Sequence, residues 1–227
     1  MSLGPGGGGL MGALLAGGPG RRMGGGKPWR ELAGRRLIDL ALGALSQACP
    51  QVLVVTADAA EMAELPCTVI ADRWPGRGPL AALATAFLDS NADGLLLLAV
   101  DLPLVRPALL ARLAAAHGRH KALTPIGPQG WPEPLLAYYS RACLPPALRL
   151  LGRDERRLRM LLKVVGATEL PAEEVRALDP EMIGFRNLNY PEDLAAAEAA
   201  ARTSGLFATP EGQVVATSPH PGGRDQG

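Results

Sequence analysis

The fold is decided near the start of the chain, by Leu10-Met11-Gly12-Ala13-Leu14-Leu15-Ala16-Gly17-Gly18-Pro19-Gly20-Arg21-Arg22-Met23-Gly24-Gly25-Gly26-Lys27. Its apolar run, Leu10–Leu15, predicts a buried first strand. The loop that follows is mostly glycine, which lets a backbone come close to a ligand and turn several N–H groups toward it. Its two arginines and one lysine add the positive charge that phosphate oxygens require. The stretch therefore predicts a strand that leads into a polyphosphate-binding loop.

Two common phosphate-binding loops do not fit this stretch. The dinucleotide pattern G-x-G-x-x-G fails because three residues, rather than two, separate Gly20 from Gly24. The Walker pattern needs a hydroxyl for magnesium after Gly-Lys, and Lys27 is followed by Pro28. A flexible glycine-rich turn with stray charges is the alternative that carries no function.

Bulk composition limits the class of protein. The chain has 227 residues, enough for one substantial domain or two small ones. Hydrophobic residues make up 48% of it and aromatic residues only 4%, so we expect an aliphatic core. The net charge of +1 gives no overall field that would favour nucleic acid or a membrane surface. We therefore expect no nucleic-acid partner and no membrane partner.

Cysteine usage and hydropathy predict a cytoplasmic protein. The three cysteines, Cys49, Cys67 and Cys143, lie far apart and form no C-x-x-C pair. An odd count argues against a disulfide framework, and a reducing cytoplasm is the simplest compartment. No apolar stretch reaches the roughly 18 residues of a membrane-spanning helix, and we see no secretory signal.

Short apolar runs alternate with helical patterns along the chain. The predicted strands are Leu10–Leu15, Gln51–Thr56, Cys67–Ile70, Gly94–Val100, Lys121–Thr124 and Pro134–Tyr138. The predicted helices are Arg36–Ala48, Leu80–Leu88, Pro107–His117, Arg141–Leu150 and Pro191–Arg202. This alternation predicts an α/β fold, a single-domain three-layer α/β/α sandwich with a mostly parallel, Rossmann-like sheet. We expect residues 1–9 to be a flexible N-terminus, 10–202 the domain, and 203–227 a disordered tail.

Carboxylates follow the predicted strands at the points where ligands bind in such sheets. Asp58, Asp72 and Asp101 come after the second, third and fourth strands, and ligands lie outside the carboxyl ends of parallel strands, near a switch in strand order. Asp101 precedes Leu102-Pro103 and is our candidate magnesium ligand, because Mg²⁺ prefers a carboxylate plus phosphate oxygens. The alternative is an aspartate that caps the helix near Pro107.

Gly78-Pro79-Leu80 predicts a helix start beside the same crevice. Proline suits the first helical position because its missing N–H would have no partner there. We expect the backbone amides of this turn to face the ligand. Asp72, just upstream, could accept hydrogen bonds from a base edge or a ribose. The alternative for Asp72 is an ordinary loop aspartate.

A pair of asparagines, Asn187 and Asn189, precedes Tyr190-Pro191-Glu192-Asp193. In an extended segment, side chains two residues apart point to the same side. Their amides could therefore bind a phosphate or a polar heterocycle together. Turn chemistry before the helix that begins at Pro191 is the alternative.

Together these segments resemble the molybdenum cofactor guanylyltransferases, the MobA-like family. The family pattern is L-A-G-G-x-S-x-R-M-G-x-x-K, then G-P-L, D-x-P, Q/E-P-L and N-x-N-x-P-E-D. This sequence supplies the five segments in the same order, at 15–27, 78–80, 101–103, 133–135 and 187–193, within a match from 10 to 202. It departs from the pattern near Pro19-Gly20, at Ala82, at Thr56 and Asp58, and at Tyr190. These departures bear on substrate choice rather than on the fold.

The resemblance implies transfer of GMP from GTP to molybdenum-bound molybdopterin, with release of pyrophosphate. It implies Mg²⁺ as cofactor, held by Asp101, and it makes molybdoenzyme-maturation proteins candidate partners. It makes Lys27, Arg22 and Asp101 the catalytic residues. It assigns the nucleotide to Leu15, Ala16, Gly17, Gly18, Lys27, Asp72, Gly78 and Asp101. It assigns the pterin substrate to Asn187 and Asn189.

Three other functions stay open. The cytidylyltransferase of the same cofactor pathway has a similar loop that tends to begin L-A-A-G, whereas this chain has Leu15-Ala16-Gly17-Gly18. A sugar-phosphate or phospholactate nucleotidyltransferase would not explain Asn187 and Asn189. A non-catalytic module that binds a nucleotide or the cofactor would have no need of Asp101.

Overall fold

The computed structural model describes residues 8–17, 26–188 and 191–203. The strands are β1 (Leu10–Leu15), β2 (Glu31–Leu32), β3 (Arg35–Arg36), β4 (Val52–Thr56), β5 (Thr68–Ala71), β6 (Gly94–Ala99), β7 (Ala122–Pro125), β8 (Leu136–Ser140) and β9 (Thr168–Leu170). The α-helices are α1 (Leu37–Ala48), α2 (Pro79–Leu88), α3 (Pro107–Ala114), α4 (Leu144–Leu151), α5 (Leu158–Val165), α6 (Ala172–Leu178) and α7 (Pro191–Thr203). The predicted α/β class is confirmed.

Seven strands form one sheet in the order β5-β4-β1-β6-β8-β7-β9, and β2 and β3 form a separate hairpin. The first four strands of that order are parallel, with Leu10 of β1 opposite Gly94 of β6 and Leu15 opposite Ala99. β8 is antiparallel to both of its neighbours, and β9 is parallel to β7. The mostly parallel sheet is confirmed, with one antiparallel strand inside it.

Alternating side chains of the central strands supply both faces of the sheet. Leu14, Leu96 and Leu98 pack into one apolar cluster, which includes α1 and α3. Leu15 and Leu97 pack into a second cluster, which includes α2, α4 and α5. Because strand side chains alternate with a period of two, a strand covered on both faces reads as a continuous apolar run. This explains why Leu95-Leu96-Leu97-Leu98 is buried throughout and why the domain has three layers.

The structure contains elements that the sequence patterns did not predict. The β2–β3 hairpin precedes α1, so α1 begins at Leu37 and Arg36 belongs to β3. Beyond α4 lie α5, β9 and α6. The predicted helix from Arg141 starts as a 3-10 turn at Arg141–Cys143 and is α-helical only from Leu144. The predicted helix from Pro107 ends at Ala114, three residues early.

The order of strands changes direction at β1. The chain runs from β1 to β4 and β5 on one side, then returns to place β6 on the other side of β1. In such sheets the crevice for ligands opens at the carboxyl ends of the strands at this switch. Within the described ranges no helix has the length and apolar character needed to cross a membrane. The expectations for 1–9 and 203–227 fall almost wholly on residues 1–7 and 204–227, outside those ranges, and stay predictions.

Candidate active site

The backbone that leaves β1 is fixed between its two neighbouring strands. Ala16 N donates to Val55 O of β4 at 2.9 Å, and Val100 N, just after β6, donates to Leu15 O at 3.1 Å. Leu15 and Ala16 are buried, whereas Gly17 is exposed at the crevice. The predicted phosphate loop therefore starts at the strand switch. Gly18 and Arg22, two residues predicted for this site, lie outside the described residues.

Two of the predicted site residues meet directly. Lys27 Nζ donates to Asp101 Oδ2 at 3.2 Å, although the two residues are 74 positions apart. The side chains are 15% and 22% exposed, so the contact is partly shielded from water. The other oxygen, Asp101 Oδ1, is buried and accepts no hydrogen bond from the described part of the chain. A cation and a half-satisfied carboxylate thus stand together at the crevice.

Asp101 lies in a turn that the chain fixes from two sides. Leu102 N donates to Ala99 O at 3.1 Å, and Leu188 N donates to Asp101 O at 3.0 Å. The helix α3 has Arg106 as its N-cap and no side-chain capping bond, so Asp101 is not its cap. The bond from Leu188 N brings the asparagine segment beside Asp101. Leu188 is buried, and its neighbour Asn187 is exposed. Asn189 lies outside the described residues.

A buried carboxylate, which the sequence analysis missed, braces this region. Asp179 is 0% exposed, and it accepts hydrogen bonds from Ile183 N at 3.2 Å and Gly184 N at 2.8 Å. Arg106 Nε lies 3.6 Å from its Oδ1. Asp179 therefore connects the turn before Asn187 with the segment that follows Asp101. In the sequence, only the Asp179-Pro180 step indicates a turn here, and such a step is common to many turns that have no such role.

Asp72 follows β5 at the same edge of the sheet. Asp72 N donates to Thr56 O at 2.7 Å, which ties the end of β5 to the end of β4. Its Oδ1 accepts from Trp74 N at 3.0 Å and from Thr85 Oγ1 at 3.0 Å. The side chain thus organises its own turn, as the alternative interpretation predicts, and a contact with the nucleoside stays a prediction.

Gly78 begins α2 in a conformation that favours glycine, with φ of 80°. A Cβ at Gly78 would lie 3.1 Å from Arg156 O, so the α4–α5 connection packs closely over this turn. Leu80 N donates to Arg156 O at 3.4 Å, and Ala81 N donates to Gly78 O at 3.1 Å. The expectation that these amides face a ligand was wrong for Leu80 and Ala81, because protein carbonyls occupy them. A nucleotide contact at Gly78 itself stays a prediction.

Glu133 lies in the connection from β7 to β8, close enough to Asp101 for their charges to interact. Leu135 O accepts from Ala99 N at 3.0 Å, and Glu133 Oε1 accepts from Leu135 N at 3.1 Å. Burial raises the pKa of Glu133; the bond from Leu135 N lowers it, the charge of Asp101 raises it and that of Arg159 lowers it. The sequence analysis noted Glu133-Pro134-Leu135 as a motif but gave this carboxylate no role.

Sequence comparison finds relatives across almost the whole chain. A profile of the MobA-like NTP transferase domain matches residues 12–173. A probable molybdenum cofactor guanylyltransferase from Chloroflexus aggregans is 33% identical over 202 residues, covering 87% of this chain and 97% of that protein. A molybdenum cofactor guanylyltransferase from Rhizobium leguminosarum bv. trifolii is 35% identical over 201 residues, covering 83% of this chain and 91% of that protein.

Solved structures share the fold. Molybdopterin-guanine dinucleotide biosynthesis protein A from Archaeoglobus fulgidus superposes with a TM-score of 0.73 and 30% identity, covering 85% of this chain and 99% of that one. A 2-C-methyl-D-erythritol 4-phosphate cytidylyltransferase from Thermus thermophilus superposes with a TM-score of 0.61 and 20% identity, covering 84% and 98%. At that identity the second likeness extends to the fold alone.

Proposed function

This chain is a nucleotidyltransferase that belongs to the MobA-like NTP transferase family, and from that premise we propose that it transfers GMP from GTP to molybdenum-bound molybdopterin. The products are the guanine dinucleotide form of the cofactor and pyrophosphate. The names of the relatives from Chloroflexus, Rhizobium and Archaeoglobus support this choice of substrates. The cytoplasm, molybdoenzyme-maturation partners and the absence of nucleic-acid and membrane partners are part of the same proposal.

The observation that carries the proposal is the contact between Lys27 and Asp101 at the strand switch. In the proposed reaction the terminal phosphate of molybdopterin attacks the α-phosphorus of GTP, and pyrophosphate leaves with the electrons of the broken bond. The attacking phosphate is ionised near neutral pH, so no side chain has to remove a proton from it. The protein therefore acts by positioning the two substrates and neutralising charge.

Each residue of the site has a proposed role in that positioning. Lys27 and Arg22 neutralise phosphate oxygens. Backbone groups of the loop hold the nucleotide, Gly78 contacts the nucleotide, and Asp72 contacts its nucleoside. The loop residues are Leu15, Ala16, Gly17 and Gly18. Asn187 and Asn189 face the pterin substrate.

Asp101 fits the requirements of a magnesium ligand. Its Oδ1 is buried and accepts no hydrogen bond from the residues that the structure describes, and a buried oxygen in that state is costly without a counterpart. Mg²⁺ takes one or two carboxylates and completes its shell with phosphate oxygens and water. Bound there, the metal would neutralise charge on the triphosphate. Lys27, by donating to Oδ2, fixes the orientation of the carboxylate and leaves Oδ1 for the metal.

The test is turnover of the purified protein with molybdenum-bound molybdopterin and one nucleotide at a time. We expect pyrophosphate release and formation of the dinucleotide cofactor with GTP and Mg²⁺, and only background rates with ATP, with CTP or without the metal. Turnover with CTP instead of GTP would identify the chain as the cytidylyl relative. Absence of turnover with every nucleotide would leave a binding module and refute the proposal.

A further inference from the structure

An exposed tryptophan stands beside the candidate site. Trp131 lies in the connection between β7 and β8, in its first part, residues 126–132, which we call the 126–132 loop. It is 62% exposed, more than any other large hydrophobic residue in the described part of the chain. A single exposed apolar side chain needs no explanation by itself. Trp131 differs from the other exposed apolar residues in three ways: its loop is held by backbone hydrogen bonds, Arg159 lies over its ring, and it is near the candidate site.

The backbone beneath Trp131 is held firmly. Gly127 N donates to Trp131 O at 2.8 Å, Gly130 N donates to Gly127 O at 3.0 Å, and Ile126 forms a bridge with Pro132. The guanidinium carbon of Arg159 lies 5.9 Å from the centre of the indole ring, a cation–π contact. The ring is therefore oriented in advance, while more than half of the residue surface remains accessible to a ligand.

The location of the loop follows from the strand order. Neighbouring strands lie about 4.8 Å apart, so the end of β5, where Asp72 lies, is about 14 Å from the end of β6, three strands away. The nucleotide, as proposed, extends from Asp72 toward Asp101. The 126–132 loop precedes β8, which pairs with β6 on the other side, and Leu135 O accepts from Ala99 N there. The loop therefore lies on the side of Asp101 from which an attacking substrate would approach.

Glu133, two residues after Trp131, adds a hydrogen-bond acceptor whose charge interacts both with Asp101 and with Arg159, the cation over the indole. Its Oε1 accepts from Leu135 N, whereas Oε2 accepts no hydrogen bond from the described residues. A carboxylate can accept two adjacent N–H groups at once. The 2-amino-4-oxopyrimidine edge of a pterin presents such a pair of donors, on a planar ring that can stack on an aromatic side chain.

We infer that Trp131 is a stacking platform for the planar 2-amino-4-oxo ring of the acceptor substrate, with Glu133 accepting from its N–H edge. The inference rests on the proposed function for the identity of the acceptor. Guanine carries the same edge, so the shared chemistry of the ligand is the 2-amino-4-oxo heterocycle. The location beyond Asp101 assigns the platform to the pterin rather than to the nucleotide.

The first test is direct binding of a soluble pterin monophosphate, followed by the change in pterin fluorescence on titration with the full-length protein. Stacking of a heterocycle on an aromatic side chain predicts that Trp131→Ala raises the Kd about 5-fold to about 150-fold. Trp131→Phe keeps a ring and restores most of the affinity. Val164→Ala, at another exposed apolar residue, is the matched control and leaves the Kd unchanged. An unchanged Kd for Trp131→Ala overturns the inference.

The second test separates the two possible ligands and the two hypotheses. In the turnover assay, Trp131→Ala raises the KM for the molybdopterin substrate and leaves the KM for GTP as in the wild type. A rise in the KM for GTP alone would mean that guanine stacks there, which overturns the assignment to the acceptor. If the wild type shows no turnover but loses pterin affinity on Trp131→Ala, the platform stands and the proposed function fails.

Discussion

The two carboxylate oxygens of Asp101 have different environments. Oδ2 accepts from Lys27 at 3.2 Å, and Oδ1 is buried without a hydrogen bond from the described residues. The sequence predicted both residue types from their motifs, because each follows a buried strand or a glycine loop. It could not predict that they touch, since the 74 positions between them are brought together only by the strand order. Asp179 escaped prediction because the groups that donate hydrogen bonds to it, Ile183 N and Gly184 N, are backbone groups in a turn.

Asp101→Asn keeps the shape of the side chain and removes its charge. We expect kcat to fall by about 100-fold or more, as for loss of one charge-stabilising group in an active site, with GTP binding weakened but still measurable. Steady-state kinetics with both substrates, and GTP titration by calorimetry, measure the two effects. Glu174→Gln removes a carboxylate from the exposed Arg112 ion pair and should leave both values unchanged. Wild-type turnover in Asp101→Asn would remove this residue from the proposed metal site.

Lys27→Ala should affect binding more than Asp101→Asn does. A charge-assisted hydrogen bond to phosphate is worth about 1.5–3 kcal/mol, so the Kd for GTP should rise about 10-fold to about 150-fold. Equilibrium titration with GTP and Mg²⁺ measures it. Lys163→Ala removes an exposed lysine from α5 and is the matched control. Affinity that stays at the wild-type value in Lys27→Ala would exclude a phosphate contact.

Glu133 makes a prediction about pH. Burial raises its pKa in the folded protein above the ordinary value of 4.5, so the folded state binds the proton more tightly than the unfolded chain does. The stability that comes with this proton is present below pH 4.5 and is lost as the pH rises through the folded pKa. Glu133→Gln has no proton to lose. Its free energy of unfolding relative to the wild type should therefore increase between about pH 4 and about pH 8, measured by urea denaturation. If the difference in free energy of unfolding between Glu133→Gln and the wild type stayed constant over this pH range, the raised pKa of Glu133 would be contradicted.

At the level of elements, apolar runs predicted the strands that lie deepest. β1 and β6 are six residues each and pack on both faces, so their sequences are continuous and easy to recognise. β9 has only three residues, two of them exposed, and it pairs at the edge of the sheet. β8 carries no alternating pattern because both of its faces are covered. Its antiparallel insertion between β6 and β7 therefore could not be deduced from the sequence.

Gly94, at the start of β6, leaves no room for a side chain. A Cβ there would lie 2.7 Å from Tyr138 Cε2 and 2.8 Å from His117 Cδ2. Tyr138 is buried and cannot move away, so Gly94→Ala should lower the free energy of unfolding by about 1–3 kcal/mol. Gly43→Ala is the control, since nothing lies within 4 Å of its added Cβ in the interior of α1. That variant should be about 1 kcal/mol more stable than the wild type. Urea denaturation of both variants measures the difference, and equal effects would refute the steric argument.

For the whole molecule, ligand binding should appear as thermal stability. A ligand that binds only the folded state stabilises it by about 2.7 kcal/mol at 100 times its Kd. For a chain of this size the melting temperature should rise by about 5–10 °C. We expect that rise with GTP in the presence of Mg²⁺ and a much smaller one with CTP, ATP or metal-free GTP. Equal shifts with GTP and CTP would show that the site does not select the base by binding alone.

The contact between Lys27 and Asp101 also bears on whether the nucleotide binds as its magnesium complex or free of metal. Before substrate binds, Lys27 donates to Oδ2 of Asp101, while Oδ1 accepts no hydrogen bond from the described residues. A metal-free triphosphate would offer a new counterion to the lysine and leave the carboxylate facing more negative charge. A magnesium nucleotide is itself a cation and an anion in contact. On its binding, Lys27 can pair with the triphosphate and Asp101 with Mg²⁺, so that each ion exchanges one counterion for another. Under the proposed function, the site would keep its balance of charge through this exchange, and its resting ion pair would favour the metal complex over the bare nucleotide.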